Sequence, residues 1–219
     1  MERSTWLTEK RHISEVRYDT LHASSYDQNW SHINVSHRSF LQRLLGLCPP
    51  GCTILDVACG TGKYWSLILE SGRSVVGVDQ SQQMLLQARA KFPRVRTEKQ
   101  GLQEIDFTDA FDGVICVDAM EFVSPEDWPF VLNNFHRALK SNGYLYLTVE
   151  LIDAAERTHA YDEGKKQGLP VVEGEYAHEG YYHYYPELAQ VRTWMSQASF
   201  SVIEEGDGDG YYHLLSRRV

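Results

Sequence analysis

Ile54-Leu55-Asp56-Val57-Ala58-Cys59-Gly60-Thr61-Gly62-Lys63-Tyr64-Trp65 is the stretch that decides the fold. It reads as a buried strand that runs into a tight glycine turn and then a helix. The next apolar run, Ser74 to Val78, ends at Asp79, at about the spacing of a carboxylate that holds a ribose. Strand, glycine turn and distal acid in this order predict a nucleotide-like ligand at the carboxyl edge of a parallel sheet.

Working outward, strands and helices alternate. Thr53 to Cys59 is a strand and Lys63 to Ser71 a helix closed by Gly72. Ser74 to Val78 is the second strand. Ser81 caps a helix that Pro93 stops after Phe92. Val95 to Lys99 and Phe111 to Asp118 are further strands. Ser124-Pro125-Glu126-Asp127 opens a helix that runs to about Leu139, and Asn142-Gly143 turns the chain into a fifth strand, Tyr144 to Val149. An amphipathic helix is expected from Ser31 to Leu47, ended by Pro49-Pro50-Gly51, whereas residues 1–30 show no clear period. Past Glu150 the rhythm breaks. Residues 151–185 are polar, glycine-bearing and aromatic, with at most one short helix, and an insertion of that length is usually functional. A helix from Pro186 to Ala198 and two strands, Phe200 to Glu205 and Tyr211 to Arg217, follow. The Gly206-Asp207-Gly208-Asp209-Gly210 between the two strands reads as a hairpin turn, because the remaining positions of a calcium loop are missing. The expected fold class is α/β, Rossmann-like and doubly wound. Its seven-stranded sheet is mostly parallel, with an antiparallel edge hairpin and helices on both faces.

The 219 residues suit one domain, divided into an N-terminal cap (1–50), a ligand-binding core (51–150), the insertion (151–185) and a closing helix and hairpin (186–219). No run approaches the ~20 apolar residues of a membrane span, and the polar Met1 to Lys10 has no leader-like core, so a cytoplasmic protein with no membrane partner is expected. A net charge of -9 weighs against a nucleic-acid partner. Cys48 and Cys52 are spaced C-x3-C without a second pair or a nearby histidine, so no metal site is expected. A monomer or homodimer is expected.

The glycine turn fails two common fingerprints. A dinucleotide site needs glycine or alanine where this chain has Trp65, and its strand position is normally apolar where this chain has Asp56. A Walker loop needs Gly-Lys-Ser or Gly-Lys-Thr, which is missing. The pattern present is acid-x-small-x-Gly-x-Gly, here Asp56-x-Ala58-x-Gly60-x-Gly62, followed by Asp79. It resembles the class I S-adenosylmethionine-dependent methyltransferases over roughly residues 15–217, and within them the small-molecule enzymes of bacterial secondary metabolism and the ubiquinone pathway. Phe111-Asp112-Gly113-Val114-Ile115 and Arg137-Ala138-Leu139-Lys140-x-x-Gly143-Tyr144-Leu145 are supporting matches. Ala58 departs from the glycine of many relatives but is small enough to keep the turn.

The resemblance implies S-adenosylmethionine as methyl donor and S-adenosylhomocysteine as product. It places Ala58, Cys59, Gly60, Thr61 and Gly62 around the cofactor, and Asp79 on its ribose hydroxyls, a helix-initiating cap being the alternative for Asp79. Gln80 and Met84 flank the adenine, with Gly101 and Leu102 on its far edge, while Asp118 and Ala119 pass under the methionine moiety. Two readings stay open for Asp56, a bond to the cofactor's ammonium side or a hold on the turn's backbone N–H groups. Two stay open for Tyr26 as well, closure over the cofactor or core packing.

Methyl transfer from a sulfonium needs mainly orientation and desolvation, and a base only where the nucleophile must lose a proton. Nucleic-acid amino methyltransferases carry Asn-Pro-Pro-Tyr or a close variant after the fourth strand, where this chain has Val117-Asp118-Ala119-Met120-Glu121. With the acidic charge, this favours a small-molecule acceptor with a nitrogen or oxygen nucleophile. The wall facing it is expected from the N-terminal segment, the loop after the fourth strand and the tyrosine- and histidine-rich insertion. Glu121 and His183 are the candidate catalytic residues, the first as a charge for an amine and the second as a base. A solvated loop acid and a structural histidine are the alternatives, as an edge strand is for the tyrosine cluster. A non-catalytic cofactor-binding partner subunit and an NAD-dependent oxidoreductase are the competing functions.

Overall fold

The computed structural model describes residues 1–178 and 180–219. Helix α1 (Arg3–Arg17) leads through a π-helical turn (Tyr18–His22) and a 3-10 turn (Ala23–Ser25) into α2 (Tyr26–Trp30) and α3 (Val35–Leu47). Then come β1 (Thr53–Val57), α4 (Trp65–Glu70), β2 (Ser74–Asp79), α5 (Gln82–Lys91), β3 (Arg96–Lys99), β4 (Phe111–Cys116), α6 (Trp128–Ala138) and β5 (Leu139–Glu150). The chain closes with α7 (Ala154–Lys166), β6 (Glu175–His178), β7 (Tyr181–Tyr184), α8 (Leu188–Gln197), β8 (Phe200–Gly208) and β9 (Tyr211–Arg218).

Seven strands form the main sheet in the order β3-β2-β1-β4-β5-β9-β8. The first five are parallel to one another, and β9 is antiparallel to both β5 and β8. The doubly wound sheet with its antiparallel edge hairpin is therefore as expected. Successive residues of β1 alternate between the two faces: Leu55 and Val57 pack into one core with α6 and α8, and Ile54 into the other with α3, α4 and α5. A strand buried on both faces is apolar at nearly every position, and the buried exception in β1 is Asp56. The order reverses between β1 and β4, and that reversal opens a crevice at their carboxyl ends.

Four segments differ from expectation. Residues 1–30 carry a fifteen-residue helix, and Trp6 is its one buried side chain, so no apolar stripe marks it in the sequence. Residues 151–185 hold the thirteen-residue α7 and a separate two-stranded sheet, β6-β7. The tyrosine cluster thus forms its own hairpin instead of an edge of the main sheet. Helix α7 leaves no apolar stripe because it buries only the small residues Ala160 and Gly164, the latter seated on Val171. Strand β5 begins at Leu139, with Asn142-Gly143 inside it as an irregularity: Asn142 has φ 64 and the β4-β5 register shifts between Phe111 and Gly113. Helix α6 starts at Trp128, not Ser124, with Pro129 in its first turn. At the Asp209-Gly210 turn (φ 55 and 86) the Asp209 carboxylate accepts the Ser36 N–H at 2.8 Å, tying the edge hairpin to the start of α3.

The indole of Trp65 lies fully buried against β2. A Cβ on Gly77 would fall 2.2 Å from Trp65 Cζ2 and 2.9 Å from Cys59 Sγ. Gly77→Ala should therefore cost about 1–3 kcal/mol of stability, as overpacking a full core does. Urea denaturation checks this, and an unchanged midpoint would refute the close packing.

Candidate functional site

The crevice is built by the residues that leave β1, β2, β3 and β4. Ala58, Gly60, Asp79, Gln80, Gly101, Asp118 and Ala119 line it, together with Met84 and Leu102. The turn after β1 enters left-handed backbone at Ala58 (φ 54), Gly60 (φ 52) and Gly62 (φ 78). Gly62 is required twice over, by its φ and by the Trp65 ring, which lies 2.7 Å from where a Cβ would stand. Folded this way, the turn aims the Gly60 N–H at Asp79 Oδ2 (2.8 Å), while Ser81 N–H reaches Oδ1 (2.8 Å). Each carboxylate oxygen thus holds one backbone donor and keeps acceptor capacity toward the crevice. Burial pushes the Asp79 carboxyl up to about 6, against the pull of those two N–H groups. The cap of α5 is Ser81, whose hydroxyl accepts the Met84 N–H, which frees Asp79 from that duty.

Four residues expected around the ligand do not line the crevice: Asp56 lies in β1, and Cys59, Thr61 and Gly62 lie in the turn. The buried Asp56 carboxyl accepts the Trp65 indole N–H at 2.8 Å, and burial pushes it up to about 8. Cys59 N–H closes onto Val78 O and Gly62 N–H onto Cys59 O. The Thr61 hydroxyl donates to Asp27.

Two Tyr-Asp dipeptides form part of the roof. Tyr18 and Tyr26 line the crevice, and the aspartate after each is an anchor. Asp19 accepts from the Ser81 hydroxyl (2.6 Å) and the Gln83 N–H (3.0 Å) at the start of α5. Asp27 accepts from Thr61 and from Lys91 Nζ (2.6 Å). Helix α1 adds Lys10, Arg11 and Ser14 to the wall, none of them signalled by sequence pattern.

A second cavity of ≈ 340 Å³ adjoins the first and shares Tyr18, Tyr26, Asp118, Phe122 and Tyr182 with it. Glu121 and His183, paired only by expectation, both line it. Glu121 is 5% exposed, so it is no solvated loop acid. Burial first, then Asp118 and Glu150, push it well above the carboxylate range. Burial lowers His183 to about 4, leaving it neutral and weakly basic. Its Nδ1 lies 2.8 Å from Tyr185 Oη and 3.7 Å from Glu150 Oε2. Asp118, at φ 54, stands between the cavities, with Oδ1 3.2 Å from the buried His37 Nε2 and Oδ2 3.9 Å from Lys63 Nζ.

Residues 54–143 match the family described as a methyltransferase domain. The crystal structure of Burkholderia thailandensis 1,6-didemethyltoxoflavin-N1-methyltransferase, with bound 1,6-didemethyltoxoflavin and S-adenosylhomocysteine, aligns with a TM-score of 0.72 at 17% identity, over 100% of this chain and 91% of that one. Residues 54–143 of this chain are thus similar to methyltransferase domains, and its fold is that of the Burkholderia enzyme. Magnesium protoporphyrin IX methyltransferase from Synechocystis PCC 6803, with bound SAH, shares the fold with a TM-score of 0.67 at 18% identity, over 96% of this chain and 100% of that one. By sequence, a Schizosaccharomyces pombe protein described as an uncharacterized methyltransferase is 30% identical over 135 residues, 54% of this chain and 46% of its own length. A tRNA U34 carboxymethyltransferase of Shewanella woodyi is 30% identical over 157 residues, 68% of this chain and 43% of its own length. The chain spans about half the length of these curated relatives. No helix among the described residues is long and apolar enough to cross a membrane.

The roof is latched from both ends of the chain. Glu175 on β6 is fully buried, and Arg3 donates to both its oxygens (2.7 and 2.9 Å), joined by Tyr182 Oη (2.6 Å) and Val172 N–H (2.8 Å). Arg3→Ala strands that carboxylate, at about 3 kcal/mol, the low end for a broken buried pair, because Arg3 is itself part-exposed. Hydrogen exchange should accelerate across residues 3–30 and 175–184 and stay unchanged in β1 and β4. Uniform protection in the variant would show that the latch does not hold the roof.

Proposed function

We propose that this chain binds S-adenosylmethionine in the crevice and moves its methyl group to a nitrogen or oxygen of a small-molecule acceptor held in the second cavity. The observation that carries the reading is Asp79. It is a buried carboxylate at the carboxyl end of β2, oriented by the glycine turn's own N–H, with acceptor capacity left for a vicinal diol. The family match over residues 54–143 supports it.

In this reading the donor lies in the crevice beside the turn. Gly60 exposes backbone where the ligand approaches, with the Tyr26 ring above it at 3.9 Å from the Cβ position. Asp79 takes the ribose hydroxyls, Gln80, Met84, Gly101 and Leu102 surround the base, and Asp118 and Ala119 border the amino-acid portion. The bound donor supplies a methyl group already activated on a sulfonium. The work left to the protein is to exclude water and align the acceptor. The roof of α1, Tyr18 and Tyr26 serves the first need, and the second cavity, with Glu121 and His183 in its wall, the second.

The Shewanella woodyi relative makes tRNA the competing acceptor, and the net charge of -9 weighs against it. Calorimetry with S-adenosylmethionine, S-adenosylhomocysteine and NAD tests the donor. Transfer assays on small amines, alcohols and bulk tRNA test the acceptor. Binding of NAD alone, or transfer to tRNA alone, would overturn the reading, and binding without transfer to any acceptor would favour a partner subunit.

Asp79 also sets a pH dependence. Hydroxyls bond more strongly to an ionised carboxylate than to a neutral acid. Affinity for S-adenosylhomocysteine should therefore be full at pH 7.5 and fall as pH drops through about 6. Asp79→Asn turns an amide NH2 against the Gly60 or Ser81 N–H. Its affinity should be about ten- to a hundredfold weaker and flat from pH 5 to 7.5.

A further inference from the structure

Two carboxyls that line the second cavity have an unmatched oxygen; Asp118 Oδ1 faces His37 Nε2 at 3.2 Å, which leaves Glu121 Oε2 without a neighbouring base. Glu121 follows β4 in a single 3-10 turn (Met120–Phe122), is 5% exposed and lines the cavity, yet its Oε2 has no hydrogen-bond partner. The charged groups around it are engaged elsewhere. Lys63 Nζ faces Asp118 Oδ2 at 3.9 Å, the Arg17 guanidinium lies 3.6 Å from the centre of the Tyr181 ring, and Glu150 Oε2 is 3.7 Å from His183 Nδ1. Burial keeps His22 and His183 neutral and holds the Tyr18, Tyr26 and Tyr211 phenols protonated. Those three tyrosines, with Trp30 and Phe122, supply aromatic wall.

A buried, unmatched carboxyl among aromatic rings is the chemistry that recognises an organic ammonium, by charge at the carboxyl and by ring quadrupole at the walls. A phenol or alcohol could not form an ion pair by exchanging a proton with the carboxyl, and a carboxylate ligand would bring a further acid to a wall that already holds Asp118, Glu121 and Glu150. The cavity of ≈ 340 Å³ sits near the small end of ligand sites. We infer that the acceptor is a small primary or secondary amine on an apolar or aromatic body, its nitrogen seated against Glu121. This rests on the reading of the chain as a methyltransferase and adds the class of its acceptor.

The seat also solves a chemical problem, because an ammonium has no lone pair to attack with. Glu121 is driven toward its protonated form by burial and by Asp118 and Glu150. An amine that arrives as R–NH3+ beside a protonated carboxyl therefore sheds one proton to solvent on binding. The complex holds one shared proton between nitrogen and carboxyl, and with that proton on Glu121 the nitrogen is neutral. Its lone pair forms the bond to the methyl carbon as the carbon–sulfur bond breaks onto sulfur. The N-methylated ammonium carries away the positive charge that the sulfonium loses.

Calorimetry on the protein loaded with S-adenosylhomocysteine tests this, with 2-phenylethylamine, N-methyl-2-phenylethylamine, benzylamine, 2-phenylethanol and phenylacetate as probes at pH 7.5. The expected result is that an amine binds at least tenfold tighter than the alcohol, with phenylacetate weakest. Titrations in buffers of different ionisation enthalpy should show close to one proton released per amine bound. Glu121→Gln should cut amine affinity at least tenfold, abolish the proton release and leave affinity for the alcohol and for S-adenosylhomocysteine unchanged. Tighter binding of phenylacetate, amine binding without proton release, or no amine binding to the loaded protein would overturn the inference. Failure of S-adenosylhomocysteine itself to bind would instead overturn the function on which it rests.

Discussion

The buried hydrogen bond between the Trp65 indole and Asp56 is the contact on which the rest of the site depends. The ring occupies the space that Gly62 and Gly77 leave by having no side chain. Its N–H satisfies a carboxyl that would otherwise be an unpaired polar group in the core. With the ring in place the turn follows one path, and that path brings the Gly60 N–H to Asp79. A dinucleotide turn packs its helix closely by having a small residue at this position. This chain fills the position with the largest side chain and hollows out the neighbours to fit it.

Much of this was legible because burial on both faces leaves a simple record. Strands β1, β2 and β4 read as apolar runs, and the residues immediately beyond them are those that line the crevice. Spacing along the strands fixes Ala58 and Asp79, whereas Gln80, Gly101, Asp118 and Ala119 follow from the resemblance to the methyltransferases. Asp56 shows what strand position leaves out. An acid in a buried strand invites a ligand as its partner, and nothing in the linear order shows that a side chain nine residues later turns back to meet it. The roof was harder. Helix α1 buries Trp6 and little else, and α7 seats itself by small residues, so neither leaves the periodic stripe that sequence reading depends on.

The two Tyr-Asp pairs show a third kind of record. As letters they are a repeated dipeptide in a segment without period. In the structure each is a hinge-free bracket, the aspartate bonded to the cofactor-side core and the tyrosine turned over the crevice. The pattern was visible and its meaning was not, because the partners, Ser81 and Thr61, lie 62 and 34 residues away. Glu121 is the mirror case: its position was predictable from the end of β4, while its burial emerges only when the roof is folded over it.

The bond between Arg3 and Glu175 joins residues 172 apart. On a ribosome adding 5–20 residues per second, Glu175 follows Arg3 by roughly 10–30 seconds. The sheet from β1 to β5 has all its strands before then, while α1 waits without its anchor. The order of synthesis therefore makes the partners of the Asp19 and Asp27 brackets together with the floor of the crevice, and the Glu175 anchor of α1 last. The part of the roof that waits longest is the start of α1, at the end of the helix farthest from Tyr18.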